Sequence, residues 1–249
     1  MSGQMARPLA GQISLWIQDQ VRMAGAKGLV VGLSGGIDSA VVASLARMAC
    51  GDNVLALLMP CHSDPASASD AMAVAKKIGV KTHTADLTAA CDALVAQVPH
   101  AEGIELANVA PRLRMTALYC AAQTHGYLVA GTSNKTESMI GYFTKWGDGA
   151  SDMRPIGNLY KYQVRRLAAE LGIPQEIIEK QPTADLWLGQ TDENEIGMAY
   201  DELDALLQAL DAGKIGQHSP EAVQRVKKMI ARSEHKRCAI PTFQPDGLL

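Results

Sequence analysis

Leu29-Val30-Val31-Gly32-Leu33-Ser34-Gly35-Gly36-Ile37-Asp38-Ser39 is the stretch on which the reading of the chain turns, and Ala40-Val41-Val42-Ala43-Ser44-Leu45 follows it directly. An apolar run closes in Ser-Gly-Gly-x-Asp-Ser, and helical periodicity begins at once, so the expected geometry is a buried strand, a tight glycine turn and a helix N-terminus. Backbone N–H groups and the positive end of a helix dipole then point at one spot, which makes an anion site. Gly35 and Gly36 are expected to let the backbone approach a large anion closely. Ser34 and Ser39 add hydroxyl donors. Asp38 is the odd member, because a carboxylate beside a phosphate is repulsive unless a cation, usually Mg²⁺, sits between them. The spacing is neither that of the common phosphate loop nor Gly-x-Gly-x-x-Gly.

Outward from this turn, strands and helices alternate. Helical spacing marks Ile13 to Met23. Strand one is expected over Gly28–Leu33 with its helix over Asp38–Cys50, a second apolar run over Asn53–Met59, a helix over Ala66–Ile78 stopped by Gly79, and a third strand over Val80–Ala85. A helix over Thr88–Val98, a less regular stretch through Glu102, a long helix over Ala107–Thr124 and a fourth strand over Tyr127–Ala130 complete the alternation. Short, rather apolar strands alternating with helices are the pattern of an α/β fold: a parallel twisted sheet with helices on both faces. Ligands bind such sheets beyond the carboxyl ends of the strands. Ser34–Ser39, Met59–Asp64, Asp86–Leu87 and Gly131–Glu137 should therefore converge on one crevice. From Gly131 to Gly157 the chain is polar, glycine-rich and aromatic together and reads as a long functional loop. Helices are expected over Tyr160–Leu171, Ala199–Leu210 and Pro220–Ser233. The carboxylates Asp185, Asp192, Glu193, Glu195, Asp201, Glu202 and Asp204 read mostly as a solvated acidic face.

The 249 residues are enough for a sizeable core, and 47% hydrophobic content fits a globular protein. A net charge of −3 supplies no global basic field for nucleic acid. No apolar run approaches the roughly 20 residues of a membrane span, and Met1–Gly11 lacks a signal-peptide core, so neither nucleic acid nor membrane is expected as a partner and the expected location is cytoplasmic. The five cysteines are odd in number and form no Cys-x-x-Cys pair, which argues against a disulfide framework or zinc ribbon. Cys50, Cys91 and Cys120 are expected to be small buried hydrophobes, and Cys61 to pack. The six histidines show no metal-ligand spacing among themselves.

Ser34-Gly35-Gly36-Ile37-Asp38-Ser39 resembles the PP-loop of ATP pyrophosphatases, which split ATP between the α and β phosphates and adenylate a substrate. Further segments resemble the NAD synthetase family: Asn108-Val109-Ala110-Pro111-Arg112-Leu113-Arg114, Gly131-Thr132-Ser133-Asn134-Lys135-Thr136-Glu137, Gly141 through Asp152, Pro155-Ile156 with Leu159-Tyr160-Lys161, Pro182-Thr183-Ala184-Asp185-Leu186, Gln190-Thr191-Asp192-Glu193 and His235-Lys236-Arg237. The resemblance runs from about residue 30 to 240 in the family's order, and as a set it is far more specific than the PP-loop alone. It implies a Rossmann-type, adenine nucleotide alpha hydrolase-like fold and the amidation of deamido-NAD to NAD, with ATP and Mg²⁺, through an acyl adenylate. It implies that Gly32, Leu33, Ser34, Gly35, Gly36, Ile37, Ser39, Thr132, Lys161 and Thr183 contact ATP, that Asp38 and Glu137 share Mg²⁺, and that Arg112, Lys145, Asp152, His235 and Lys236 contact deamido-NAD. Asp148 is a candidate to receive or orient ammonia, against a turn-forming role in Gly-Asp-Gly. Tyr142, Phe143 and Trp146 are candidates to stack on the nicotinate ring or to order their loop. The family's substrate pocket lies between two subunits, which implies a homodimer. The resemblance occupies nearly all of the chain, so residues 1–249 are expected to be one synthetase domain without an amidase domain, using free ammonia.

Met59-Pro60-Cys61-His62-Ser63-Asp64-Pro65 departs from the family, some members of which carry an arginine at this strand end, and no contact is assigned to it. Two other readings remain. Another PP-loop enzyme, such as a tRNA thiolase, would need cysteine pairs or a basic RNA-binding surface. A non-catalytic nucleotide-binding module would need the phosphate loop but neither Glu137 nor Lys161.

Overall fold

The computed structural model describes residues 8–98, 103–185, 189–216 and 218–244. Parts of two expected features, the irregular stretch through Glu102 and the Leu186 end of the Pro182 segment, lie outside the described residues.

The chain opens with α1 (Leu9–Met23), β1 (Leu29–Gly32), α2 (Ile37–Cys50), β2 (Val54–Leu58), α3 (Pro65–Ile78) and β3 (Lys81–Thr84). It continues with α4 (Thr88–Val95), α5 (Ile104–Ala107), α6 (Val109–His125), β4 (Leu128–Ala130), α7 (Lys135–Ile140) and α8 (Lys161–Glu170). The last elements are α9 (Gln175–Glu179), α10 (Asp192–Ile196), α11 (Tyr200–Asp211), α12 (Pro220–Arg232) and a 3₁₀ turn at Glu234–Lys236. All four strands are parallel, in the order β3-β2-β1-β4.

The pleat of β1 divides the core. Leu29 and Val31 face one side, with Ile17 of α1, Val41 and Leu45 of α2, Val74 of α3 and Val164 and Leu167 of α8. Val30 faces the other, with Leu57, Val129 and Ala122 of α6. A strand buried on both faces reads as a continuous apolar run, and helices cover both faces as the sequence pattern predicts. A separate apolar cluster joins Ile140, Tyr160, Ile196, Tyr200, Leu203, Leu206, Leu207 and Val226, and so ties α7, α10, α11 and α12 together beyond the sheet's carboxyl edge.

Several expectations need correction. The strand β3 is polar, Lys-Thr-His-Thr, and exposed along its length. It is an edge strand held by backbone pairing to β2, which apolar content does not reveal. The long helix expected over Ala107–Thr124 is α6, and a separate short turn of helix, α5, precedes it just past the stretch expected to be irregular. Gly131–Gly157 is not one loop, because Asn134 caps α7 through a reciprocal box with Glu137. Cys120 is exposed and Cys50 only half-buried, whereas Cys61 and Cys91 are buried as expected. Asp192 and Asp204 are buried and do not belong to a solvated acidic face.

Gly35 also has a packing task. Its φ of +79° is open to glycine, and an added Cβ would come 2.6 Å from the Ser67 carbonyl oxygen and 2.9 Å from Asp70 Cβ on α3. The residue turns towards α3 rather than the crevice, so its contribution to anion binding is the path it allows the turn. Gly35→Ala should lower stability by about 2–4 kcal/mol through left-handed strain and overpacking, read as a reduced urea midpoint at unchanged slope.

Candidate active site

The β1–α2 turn is braced by its own hydroxyls. The Ser39 hydroxyl donates to the Gly36 carbonyl at 2.9 Å and accepts from the Ser34 N–H at 3.2 Å, and Ser34 Oγ accepts from the Gly36 N–H at 3.3 Å. The turn thus arrives folded at the N-terminus of α2, where Asp38 occupies the first helical turn and sits favourably in the helix dipole.

Three helix N-termini meet there. Asp38 comes from α2, Glu137 from the first turn of α7, and Lys161 is the first residue of α8. The Lys161 backbone N–H donates to Thr136 Oγ1 at 3.0 Å, and the Thr136 hydroxyl in turn donates to Asp204 on α11. The other Asp204 oxygen accepts from the Tyr162 N–H at 2.8 Å, which meets another orphan donor of the α8 N-terminus. This fixes where the Lys161 side chain starts. Its ammonium is 2% exposed and lies 2.5 Å from Asp38 Oδ2 and 3.0 Å from Glu137 Oε1. Asn134 Nδ2 donates to the other Asp38 oxygen at 3.0 Å. Burial alone would lower the Lys161 pKa, but Asp38 and Glu137 outweigh it, and the side chain holds its proton more tightly than a free lysine. Burial pushes the Glu137 carboxyl up to about 7, with Lys161 opposing and Asp38 adding to the rise.

A third carboxylate, Asp192, is 5% exposed and faces the same cavity. Burial raises its pKa as well. Three carboxylates, Asp192 buried and Asp38 and Glu137 partly buried, against one ammonium leave the cluster short of positive charge. Hard oxygen donors in an electron-rich pocket suit Mg²⁺, which uses one or two protein carboxylates and otherwise keeps water and phosphate oxygens. Among the described residues no three His, Cys, Asp or Glu side chains converge as a full protein cage, so a two-carboxylate site is the form available.

This cluster opens into a cavity of about 450 Å³. Gly32, Leu33, Ser34, Gly36, Ile37, Asp38 and Ser39 line it, as do Thr132, Glu137, Asp148, Lys161, Thr183 and Lys236. Gly35 does not. Thr183 Oγ1 accepts from the Asp185 N–H at 3.0 Å, and the Asp185 carboxylate accepts from the Asp64 N–H ahead of α3. Asp148 is open to the cavity, with Oδ1 accepting from the Thr144 N–H at 3.0 Å. The surrounding protein nonetheless raises its carboxyl pKa.

Four of the five residues expected at deamido-NAD do not line this cavity. Arg112 Nη2 donates to the Lys145 carbonyl at 3.4 Å and Lys145 Nζ to the His235 carbonyl at 2.6 Å, so these three make a chain outside the cavity. Lys236 does reach the cavity, where its ammonium donates to the Gly141 and Phe143 carbonyls, each at 2.8 Å. Asp152 accepts from the Val129 N–H at 2.8 Å and from Tyr119 Oη at 3.2 Å. It lines a separate shallow hollow with Thr116, Cys120, Gln123 and Tyr127. Tyr142 orders its loop through its hydroxyl, which reaches Asp192 and Glu195. Phe143 lines the cavity, and Trp146, 54% exposed, does not.

Residues without a sequence-based role also belong here. Asn134 was legible in the Asn-x-x-Glu capping spacing. Arg114 on α6 donates to the Met59 carbonyl at 3.1 Å and to Ser63 Oγ at 3.0 Å, bringing a guanidinium to the strand end where this chain lacks its own. Asp192 sits inside a quoted motif. Tyr200 carries no local signal.

Comparison with known proteins shows the family. The NAD synthase family model matches residues 9–240. The NH(3)-dependent NAD(+) synthetase of Carboxydothermus hydrogenoformans is 47% identical over 227 residues, covering 89% of this chain and 91% of the relative. The solved NMN synthetase of Francisella tularensis superposes with a TM-score of 0.88 at 38% identity, covering 96% of this chain and 98% of that one. The NH3-dependent NAD synthetase of Campylobacter jejuni superposes with a TM-score of 0.83 at 30% identity, covering 95% and 98%.

Lys161→Met tests the electrostatics of the cluster apart from any reaction. It strands buried carboxylates without their counter-charge and should cost about 3–5 kcal/mol, read by chemical denaturation. Lys180→Met, which removes a half-exposed pair with Asp70, should cost about 1 kcal/mol or less.

Proposed function

Since the chain belongs to the NAD synthase family, we infer that it is a ligase that amidates deamido-NAD to NAD, with ATP as co-substrate and ammonia as nitrogen donor. The observation that carries this reading is the meeting of Asp38, Glu137 and Lys161 at the mouth of the β1–α2 turn. A carboxylate cannot be amidated directly, because oxide is not a leaving group. The nicotinate carboxylate instead attacks the α-phosphorus of ATP, the bond to the β,γ-pyrophosphate breaks, and an acyl adenylate forms. Ammonia then attacks the acyl carbon and AMP departs.

Ser34, Gly36 and Ser39 seat the triphosphate at the N-terminus of α2, with Gly32, Leu33, Ile37, Thr132 and Thr183 around the rest of the nucleotide. Asp38 and Glu137 hold Mg²⁺, which when bound neutralises charge on the departing pyrophosphate. Lys161 supplies a fixed positive charge beside that group. Asp148 draws in the ammonium and takes its proton; the raised carboxyl makes it a stronger base than a solvated aspartate. Arg112, Lys145, Asp152, His235 and Lys236 hold deamido-NAD. Asp152 and the Arg112–Lys145–His235 chain occupy separate places on one chain, which supports a homodimer whose second copy completes the dinucleotide pocket. The match of the family model to residues 9–240 supports a single synthetase domain over that span. No helix among the described residues is long and apolar enough to cross a membrane, which supports a cytoplasmic location.

The NMN synthetase of known structure favours a second substrate reading, amidation of nicotinate mononucleotide, by the same chemistry at the same carboxylate. Product analysis with each nicotinate nucleotide, ATP, Mg²⁺ and either ammonium or glutamine separates the two. NAD from deamido-NAD with ammonium, not glutamine, is expected; faster turnover of the mononucleotide would transfer the assignment to NMN synthesis, and no amide from either would overturn both. Asp38→Asn should reduce turnover at least about 100-fold, and Glu137→Gln should raise the Mg²⁺ requirement; a wild-type Mg²⁺ titration would remove Glu137 from the cation site.

A further inference from the structure

Behind the Asp38–Lys161–Glu137 cluster stands Tyr200, the first residue of α11, with no exposed surface. It touches three charged groups of the site at once. Its hydroxyl donates to Asp192 Oδ2 at 2.9 Å and lies 3.3 Å from Glu137 Oε1, and the Lys161 ammonium stands 4.8 Å from the centre of its ring. The other Asp192 oxygen lies 3.1 Å from the hydroxyl of Tyr142. Asp192 is therefore braced on both oxygens by tyrosines, one from α11 and one from the loop after α7.

We propose that Tyr200 and Asp192 are positioning residues for the cation site of Asp38 and Glu137. Tyr200 is wholly buried and absent from the cavity wall, so it cannot touch ATP or the nicotinate substrate. What it can do is fix the two side chains that do. Its ring closes the space behind Lys161, so the ammonium points at Asp38. Its hydroxyl sits beside the Glu137 oxygen that faces Lys161, while the other Glu137 oxygen is turned to the Asn134 N–H at 3.4 Å in the α7 cap. Together these contacts hold Glu137 with Oε1 towards Lys161 and Oε2 towards the α7 cap. Asp192 accepts from the Tyr200 hydroxyl and adds negative charge at the cavity wall beside the pair. Groups in this position around a metal site orient its ligands and tune its affinity. The back wall also has its own support: the Tyr200 backbone N–H donates to Glu193 Oε1 at 2.9 Å, and its ring packs in the cluster of α7, α10, α11 and α12.

This rests on the assignment of Asp38 and Glu137 to Mg²⁺, and the experiment keeps the two apart. Mn²⁺ is titrated into the full-length protein with saturating α,β-methylene-ATP, and protein-bound Mn²⁺ is read by water proton relaxation. The variants are Asp38→Asn, Tyr200→Phe and Asp192→Asn, with thermal midpoints measured in parallel. Tyr200→Phe keeps the ring and removes only the hydroxyl; Asp192→Asn keeps shape and one acceptor, and serves if the phenylalanine variant does not fold. The expected result is Mn²⁺ affinity weakened about tenfold or more in both, with the apparent Mg²⁺ constant in turnover shifted to match and KM for ATP at saturating Mg²⁺ unchanged. Weakened binding in Asp38→Asn with wild-type affinity in the folded Tyr200 and Asp192 variants would overturn the positioning role and leave the metal assignment standing. Wild-type affinity in Asp38→Asn would overturn the metal assignment, and this inference with it.

Discussion

A single ammonium group, that of Lys161, is held out of water between Asp38 and Glu137, and the placement of three helices answers to it. The helices α2, α7 and α8 are far apart in sequence, yet their first turns meet at this point. Buried ion pairs contribute little net stability when weighed against apolar replacements, but a broken one is costly, so they punish wrong arrangements. Here the arrangement is the site. The β1–α2 turn cannot shift relative to α7 without separating Asp38 from Asn134 and Lys161, and α8 cannot shift without losing Thr136 and Asp204.

The apolar packing has a matching division of labour. The core of α1, α2, α3, α8 and the sheet sets the phosphate turn at the end of β1. The second cluster, around Tyr200, Leu203, Leu206 and Leu207, builds a wall beyond the sheet's carboxyl edge. That wall backs the charged cluster at one side of the crevice, where partial burial makes electrostatic interactions stronger than in water. Phosphate chemistry relies on such preorganised charge more than on covalent participation by the protein.

Local signals carried the half of this molecule that local chemistry controls. The strand-turn-helix around Ser34–Ser39 was legible because an apolar run, two glycines and a helical period agree at one place. Its consequence, a ligand crevice at the carboxyl ends of parallel strands, followed from the alternation of elements. The strand β3 was placed correctly, but its polar, exposed character was not anticipated, since an edge strand is held by backbone pairing that side-chain pattern does not encode. The Glu137–Asp38 meeting came through family resemblance. Burial of Asp192 and Asp204 was missed because both lie in an acidic run whose composition looks solvated; their partners, Tyr142, Tyr200 and Thr136, are distant in sequence. The motif places Gly35 in the phosphate turn, but its contact with α3 is a fact of tertiary packing that the motif does not carry. The Arg112–Lys145–His235 chain and the separate seat of Asp152 were likewise invisible, since no spacing rule says that family positions in one chain face different ways.

The account stands on the Asp38–Lys161–Glu137 cluster being the place where the cation and the triphosphate are received. A crystal structure with Mn²⁺ and α,β-methylene-ATP, with the metal located by its anomalous signal, tests this most directly. The account predicts a single strong peak coordinated by Asp38 and Glu137, with the triphosphate seated at the β1–α2 turn. A triphosphate bound at that turn with the metal on other residues would contradict it.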